Sequence, residues 1–186
     1  MSDEKVVRHC APTLANLKTA NLFTCRFDSD EEMRDGIRSL NARLGRKGVR
    51  ALPLRWREGT ALIYVYRPKR LSTDLENELA QGLLRSCGYD CRGENQCIAC
   101  LRRRLADAGE TFPHEIGLFL GYPPEDVDGF IHRRDEYTCC GYWKVYGDAE
   151  SARKKFALLR KCSDIYMRMW SQGRDIERLT VACPGA

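Results

Sequence analysis

The chain has 186 residues, 43% of them hydrophobic, and a formal net charge of +5. That length can bury a real core and is most simply one domain, and the apolar content excludes a disordered chain. Lys, Arg, Asp or Glu interrupts every apolar run, which excludes a membrane-spanning helix.

In chain order, LFTCRF (22–27) reads as a short strand. Ser29 precedes Glu32 by three positions, a capping-box signal, and Met33, Ile37, Leu40 and Leu44 then recur at helical spacing. Gly45 and Gly48 flank the exit of that helix. VRALPLRW (49–56) is a second strand, in which Pro53 points to an edge position or a bulge. Arg57-Glu58-Gly59 turns the chain into ALIYVYR (61–67), a strand apolar on both faces and so expected at the centre of its sheet.

Thr73 and Glu76 form a second capping-box pattern, with Leu75, Leu79 and Leu83 as the buried stripe of a helix ending near Cys87-Gly88. Another helix is expected over about 95–107, and two short ones near 113–120 and 124–131, where Pro113 and Pro124 suit the first turn. YWKVY (142–146) reads as a strand. A long helix follows over about 149–171, with Ala152, Phe156, Leu159, Tyr166 and Trp170 on one face. IERLTVACP, from Ile176 to Pro184, reads as a final strand. The fold class expected is α/β, a single compact domain over 1–186 with a small mixed sheet flanked by helices.

Ten cysteines are many for a chain too large to need disulfide staples, and MSDEKVVRHCAP lacks the apolar stretch of a signal peptide. A cytoplasmic protein with mostly reduced thiols is expected. The basic runs, such as Arg102-Arg103-Arg104, are short and scattered among acids, so nucleic acid is not the expected partner. A small molecule or another protein is.

The stretch FPHEIGLFLGYPPEDVDGFI (112–131) resembles the hallmark of a bacterial family, domain-of-unknown-function family 3793. The resemblance extends over HCAPTLANLKTANLF (9–23), GYWKVYGD (141–148) and the Cys162 helix. It implies one compact domain of the same fold, in a family of small soluble proteins common in anaerobic Firmicutes. It brings no activity, ligand or catalytic residue to this chain.

The densest chemistry lies outside that hallmark, in CGYDCRGENQCIAC (87–100), with the spacing C-x3-C-x5-C-x2-C. Cys87, Cys91, Cys97 and Cys100 could ligate zinc or an iron–sulfur cluster as soft thiolates, with Gly88 and Gly93 bending the chain between the pairs. Reversible thiol exchange and inert burial are the other readings, since Cys97, Cys100, Leu101 and Leu105 fall on one helical face. His9-Cys10 is a second candidate, because an imidazole that meets a thiol activates it. His114-Glu115, at the start of a short helix, is a third, with acid–base or metal-binding capacity set against a plain packing corner. Tyr142, Lys144 and Tyr146 alternate with Trp143 and Val145, a face that could line a flat ligand. The leading expectation is a thiol protein that binds a metal or does redox chemistry. The alternatives are a regulatory or scaffold protein without catalysis, and an enzyme using Cys10 or His114 and Glu115.

Overall fold

The computed structural model describes residues 1–107 and 112–183. Its contacts divide the chain into two compact units, one formed by Met1–Lys69 and the chain from Lys161 onward, the other by Arg70–Arg160. The α/β class read from the sequence is the class observed.

The first unit opens with helix α1 (Asp3–Leu14), capped by Ser2, whose side chain accepts from the Lys5 amide. Strand β1 (Ala20–Arg26) leads into helix α2 (Asp30–Leu44). Ser29 accepts from the Glu32 amide at 3.1 Å, and the Glu32 carboxylate reaches back to the Asp28 amide at 2.8 Å, so the capping signal forms one residue wider than the usual box. Strands β2 (Arg50–Arg57) and β3 (Thr60–Tyr66) form a hairpin through Glu58-Gly59, both at positive φ, as a two-residue turn of this hand requires. The order is β1-β3-β2 with both pairings antiparallel. The strand with two apolar faces is therefore central. Its partner β2 is an edge strand, and its register shifts between Pro53 and Arg55, where proline cannot donate.

Register decides the core. Phe23 faces Ile63, Cys25 faces Ala61 and Ala51 faces Val65 on one side of the sheet. Val6, Val7, Cys10 and Leu14 of α1 and Met33, Ile37, Leu40 and Leu44 of α2 share this buried cluster. The chain from 176 to 184, expected as a strand, instead forms the short helix α9 (Ile176–Leu179), and Pro184 lies outside the described residues. Asp175 caps it through the Arg178 amide at 2.7 Å, and Ile176 and Leu179, one turn apart, are both buried. Arg67, fully buried just after β3, closes the unit. Its guanidinium donates to the carbonyls of Thr13 (2.7 Å), Leu14 (2.8 Å) and Val181 (2.8 Å), and more weakly to Lys47 (3.3 Å).

Helix α3 (Pro68–Leu75) starts at its proline, so Thr73 lies inside a helix instead of capping one. Helix α4 (Glu78–Ser86) is capped by Asn77, which accepts from the Leu79 and Ala80 amides. This shift leaves Leu79 exposed while Leu83 is buried. Helices α5 (Glu94–Asp107), α6 (Ile116–Phe119) and α7 (Pro124–His132) follow. A minimal hairpin pairs β4 (Cys139–Cys140) with β5 (Lys144–Val145). Helix α8 (Ala149–Ser171) buries Ala152, Phe156, Leu159 and Cys162. No helix among the described residues is long and apolar enough to cross a membrane.

The α8 residues from 161 onward make the first unit sensitive to alkali. Burial pushes the Cys162 thiol from 9.0 up to about 11, and burial, then the neighbouring Cys162, pushes the Tyr166 phenol from 10.0 up to about 12. Both groups are acids whose neutral form the fold favours. The stability they contribute is complete below pH 9 and disappears as pH climbs through the folded values. The urea midpoint should fall steadily between pH 9 and about 12, and Cys162→Ser should flatten the portion below about 11. A wild-type midpoint that stays level over this interval would contradict the assignment.

Candidate functional site

The zinc or iron–sulfur centre expected at Cys87, Cys91, Cys97 and Cys100 is not what the chain builds. Cys91 and Cys97 form a disulfide with Cα atoms 5.3 Å apart, which removes two of the four thiolates. Among the described residues, no group of three or more His, Cys, Asp or Glu could hold a metal ion. The physical reason is local: Gly93, at positive φ, turns the chain so that Cys91 comes back to the first turn of α5, while Cys100 is buried one turn further along. Cys87 remains a half-buried thiol, raised by burial and then by Glu115.

The His9–Cys10 pair diverges. Successive helical residues point about 100° apart. Cys10 is fully buried in the core, and burial raises its thiol well above the ordinary value despite the charge of Lys18. His9 lies on the exposed side and stacks on Phe23, ring centroids 5.3 Å apart. Partial burial, then Arg8 and Lys5, lower its pKa.

His114 and Glu115 also part company. Glu115 is buried and accepts from the Tyr89 hydroxyl at 3.0 Å and from Arg104 Nε at 2.5 Å. Tyr89 is held protonated, first by burial and then by that carboxylate. Glu115 thus fastens the start of α6 to α5. His114 instead turns its ring edge-on to Phe130, centroids 5.0 Å apart.

That contact opens onto a groove of ≈ 480 Å³ lying wholly within the second unit. Phe112, Tyr122, Phe130 and Trp143 supply aromatic surface, and Ile116 and Val127 supply aliphatic surface. His114, Arg134 and Lys144 line the same groove. The arrangement follows from local structure. Pro124 starts α7, and α7 carries Val127 and Phe130 on the turn facing α6, where Gly117 leaves room for Val127. Alternation in the β5 segment buries Trp143 and Val145 and leaves Lys144 outward, as the pattern of YWKVY foretold. Lys144 and Trp143 reach the groove, whereas Tyr142 and Tyr146 are not among its lining.

Asp126, in the first turn of α7, positions these parts. Its carboxylate is buried, and Oδ2 accepts from Trp143 Nε1 at 2.7 Å. Its Oδ1 accepts from the Tyr146 amide at 2.7 Å and the Gly147 amide at 3.2 Å. The indole so held stacks on Tyr122 (4.8 Å) and meets Phe156 edge-on (4.6 Å). A buried aspartate reaching donors 17 to 21 residues away leaves no mark in local sequence.

Gly129 gives this junction a sharp test. A Cβ there would lie 2.2 Å from Tyr146 Cγ and 2.7 Å from its Cβ, atoms close to a backbone that Asp126 already pins. Alanine in a helix normally gains up to about 1 kcal/mol over glycine. Here Gly129→Ala should instead cost about 1–3 kcal/mol by overpacking. Chemical denaturation reads the sign directly, and a stabilised variant would refute the close approach of α7 to β5.

The family described as Protein of unknown function (DUF3793) matches residues 6–180. No curated protein and no solved structure matches the chain.

Proposed function

Because the chain belongs to the DUF3793 family, whose function is unknown, membership supplies no reaction, and we propose from the geometry that this protein binds a small flat molecule in the groove beside Phe130 and Trp143. The observation that carries the reading is the groove itself: concave, mainly apolar and aromatic, with a few polar groups converging on it. Its ≈ 480 Å³ falls in the size range of small-molecule sites, about 300–1,000 Å³. Cytoplasmic residence is part of the proposal, supported by eight free cysteines, a number unusual where disulfide formation is enforced.

A neutral probe tests occupancy. Naphthylmethanol should quench the tryptophan fluorescence of the wild type saturably, and Trp143→Phe, which leaves Trp56 and Trp170, should abolish that change. Phe130 is half-buried, so Phe130→Ala should fold, keep its far-UV circular dichroism and lose at least about tenfold in affinity. A probe that binds both proteins equally, or neither, would sink the reading.

Thiol–disulfide exchange at Cys91–Cys97 is a second reading. Its support is that both cysteines line a separate hollow of ≈ 410 Å³ together with Arg85 and Arg92. Equilibration with a dithiol, followed by alkylation and mass measurement, tests it. A pair that cannot be reduced without denaturant would exclude it.

A further inference from the structure

Resting on the groove being a binding site, we infer that its ligand is an anion: a flat aromatic or fused-ring molecule bearing a carboxylate. The inference comes from how charge is arranged around one ring. Arg134 places its guanidinium carbon 5.5 Å from the Phe130 centroid. Lys144 places Nζ 5.8 Å from the same centroid. His114 presents its ring edge to that phenyl group at 5.0 Å. Two permanent cations and an imidazole therefore converge on a single apolar surface, and like charges gathered in this way repel one another.

Among the described residues, the groove's lining does not compensate them: the one carboxylate there is Asp126, whose two oxygens are taken by Trp143 Nε1 and by the amides of Tyr146 and Gly147. Lys144 has an ion pair with Asp135 at 3.8 Å, but Asp135 is 95% exposed and screened by water, so the pair is weak. Lys144 also donates to the Arg134 carbonyl at 3.0 Å, which uses one of its three protons. Among the described residues the His114 ring nitrogens accept and donate no hydrogen bond. Among the described residues, donors and positive potential are thus left over on this rim. A carboxylate placed at this rim collects charge-assisted hydrogen bonds from Arg134 and Lys144. The rest of a planar ligand then lies along Phe130 and Trp143, where stacking and apolar burial hold it. A cationic ligand would add to the repulsion, and a neutral one would leave it unrelieved.

Three probes on one ring system separate this claim from the one beneath it: naphthoate, naphthamide and naphthylmethylammonium, titrated by tryptophan fluorescence at neutral pH and low salt, with Trp143→Phe as the control for the groove's contribution. Naphthoate should bind the wild type at least about tenfold more tightly than naphthamide, with the ammonium probe weakest. Arg134→Gln and Lys144→Met, both at exposed or half-exposed positions, should each lower naphthoate affinity several-fold more than naphthamide affinity, so that much of the preference is lost. Equal affinity for naphthoate and naphthamide, or a preference for the ammonium probe, would overturn the anion claim and leave the groove reading intact. Failure of all three probes would overturn both. A naphthoate preference that survives both substitutions would also overturn the claim, because the charge would then be recognised elsewhere.

Discussion

Arg67→Met should destabilise the protein by about 3–5 kcal/mol, because several buried carbonyls lose a charged donor at about 1–3 kcal/mol each. Methionine restores much of the volume and none of the donors. The guanidinium reaches the end of α1 through Thr13 and Leu14, the turn after α2 through Lys47, and the C-terminal segment through Val181. Three of those carbonyls keep one other partner: the Thr13 carbonyl accepts from the Asn16 amide, Leu14 from Val181 and Lys47 from Cys183. The loss is therefore less than four full desolvation penalties. It remains a large part of a total stability of about 5–15 kcal/mol. Arg67→Lys should recover only part of it, because an ammonium cannot span the fork that contacts Thr13 and Leu14 together. Urea unfolding of the three proteins measures the order. A methionine variant within about 1 kcal/mol of wild type would remove Arg67 from this role.

The second large effect is expected at Asp126. Asp126→Ala leaves three donors without their acceptor and should cost about 3–4 kcal/mol at about 1–3 kcal/mol per stranded buried group, moderated by the access of water to a groove wall. Asp126→Asn is the more informative change. Its carbonyl can still accept from the Tyr146 and Gly147 amides, but its amide then meets another donor, Trp143 Nε1. A cost of about 2 kcal/mol is expected, with loss of the near-UV circular dichroism of the indole. Trp143→Phe deletes the conflicting donor, so the double variant should show a coupling of about 1–2 kcal/mol. Additive costs would mean that the two side chains do not meet.

The elements that local chemistry controls were legible before any coordinates. Ser29 with Glu32 marked the start of α2, and the doubly apolar run 61–67 marked the central strand. Pro53 marked an edge with a register shift, and the stripe through Phe156 and Leu159 marked α8. Each depends on residues within a turn or two of each other. The errors came where two local signals competed. Thr73 and Glu76 satisfy a capping pattern, yet Pro68 had already started a helix and Asn77 capped the next one. At the C-terminus, IERLTVACP read as a strand, while Asp175 caps a helical turn that buries Ile176 and Leu179.

The sequence by itself determined the α/β class, the starts of α2, α5, α7 and α8, the alternation that turns Lys144 outward beside a buried Trp143, and family membership. Its motif 112–131 contains both His114 and Asp126, and the family matches residues 6–180. What each candidate group meets was decided only by tertiary structure. Adjacent residues leave a helix in different directions, so Cys10 entered the core as His9 turned outward, and Glu115 went to Arg104 as His114 went to Phe130. Four closely spaced cysteines suit either a metal or a disulfide, and the bend at Gly93 selected the Cys91–Cys97 bond. The groove brings residues 112–144 onto one surface through packing at Gly117 and Gly129 and through the reach of Asp126. Composition and spacing encode which groups are available; only the path of the backbone brings two cations and an imidazole around a single phenyl ring.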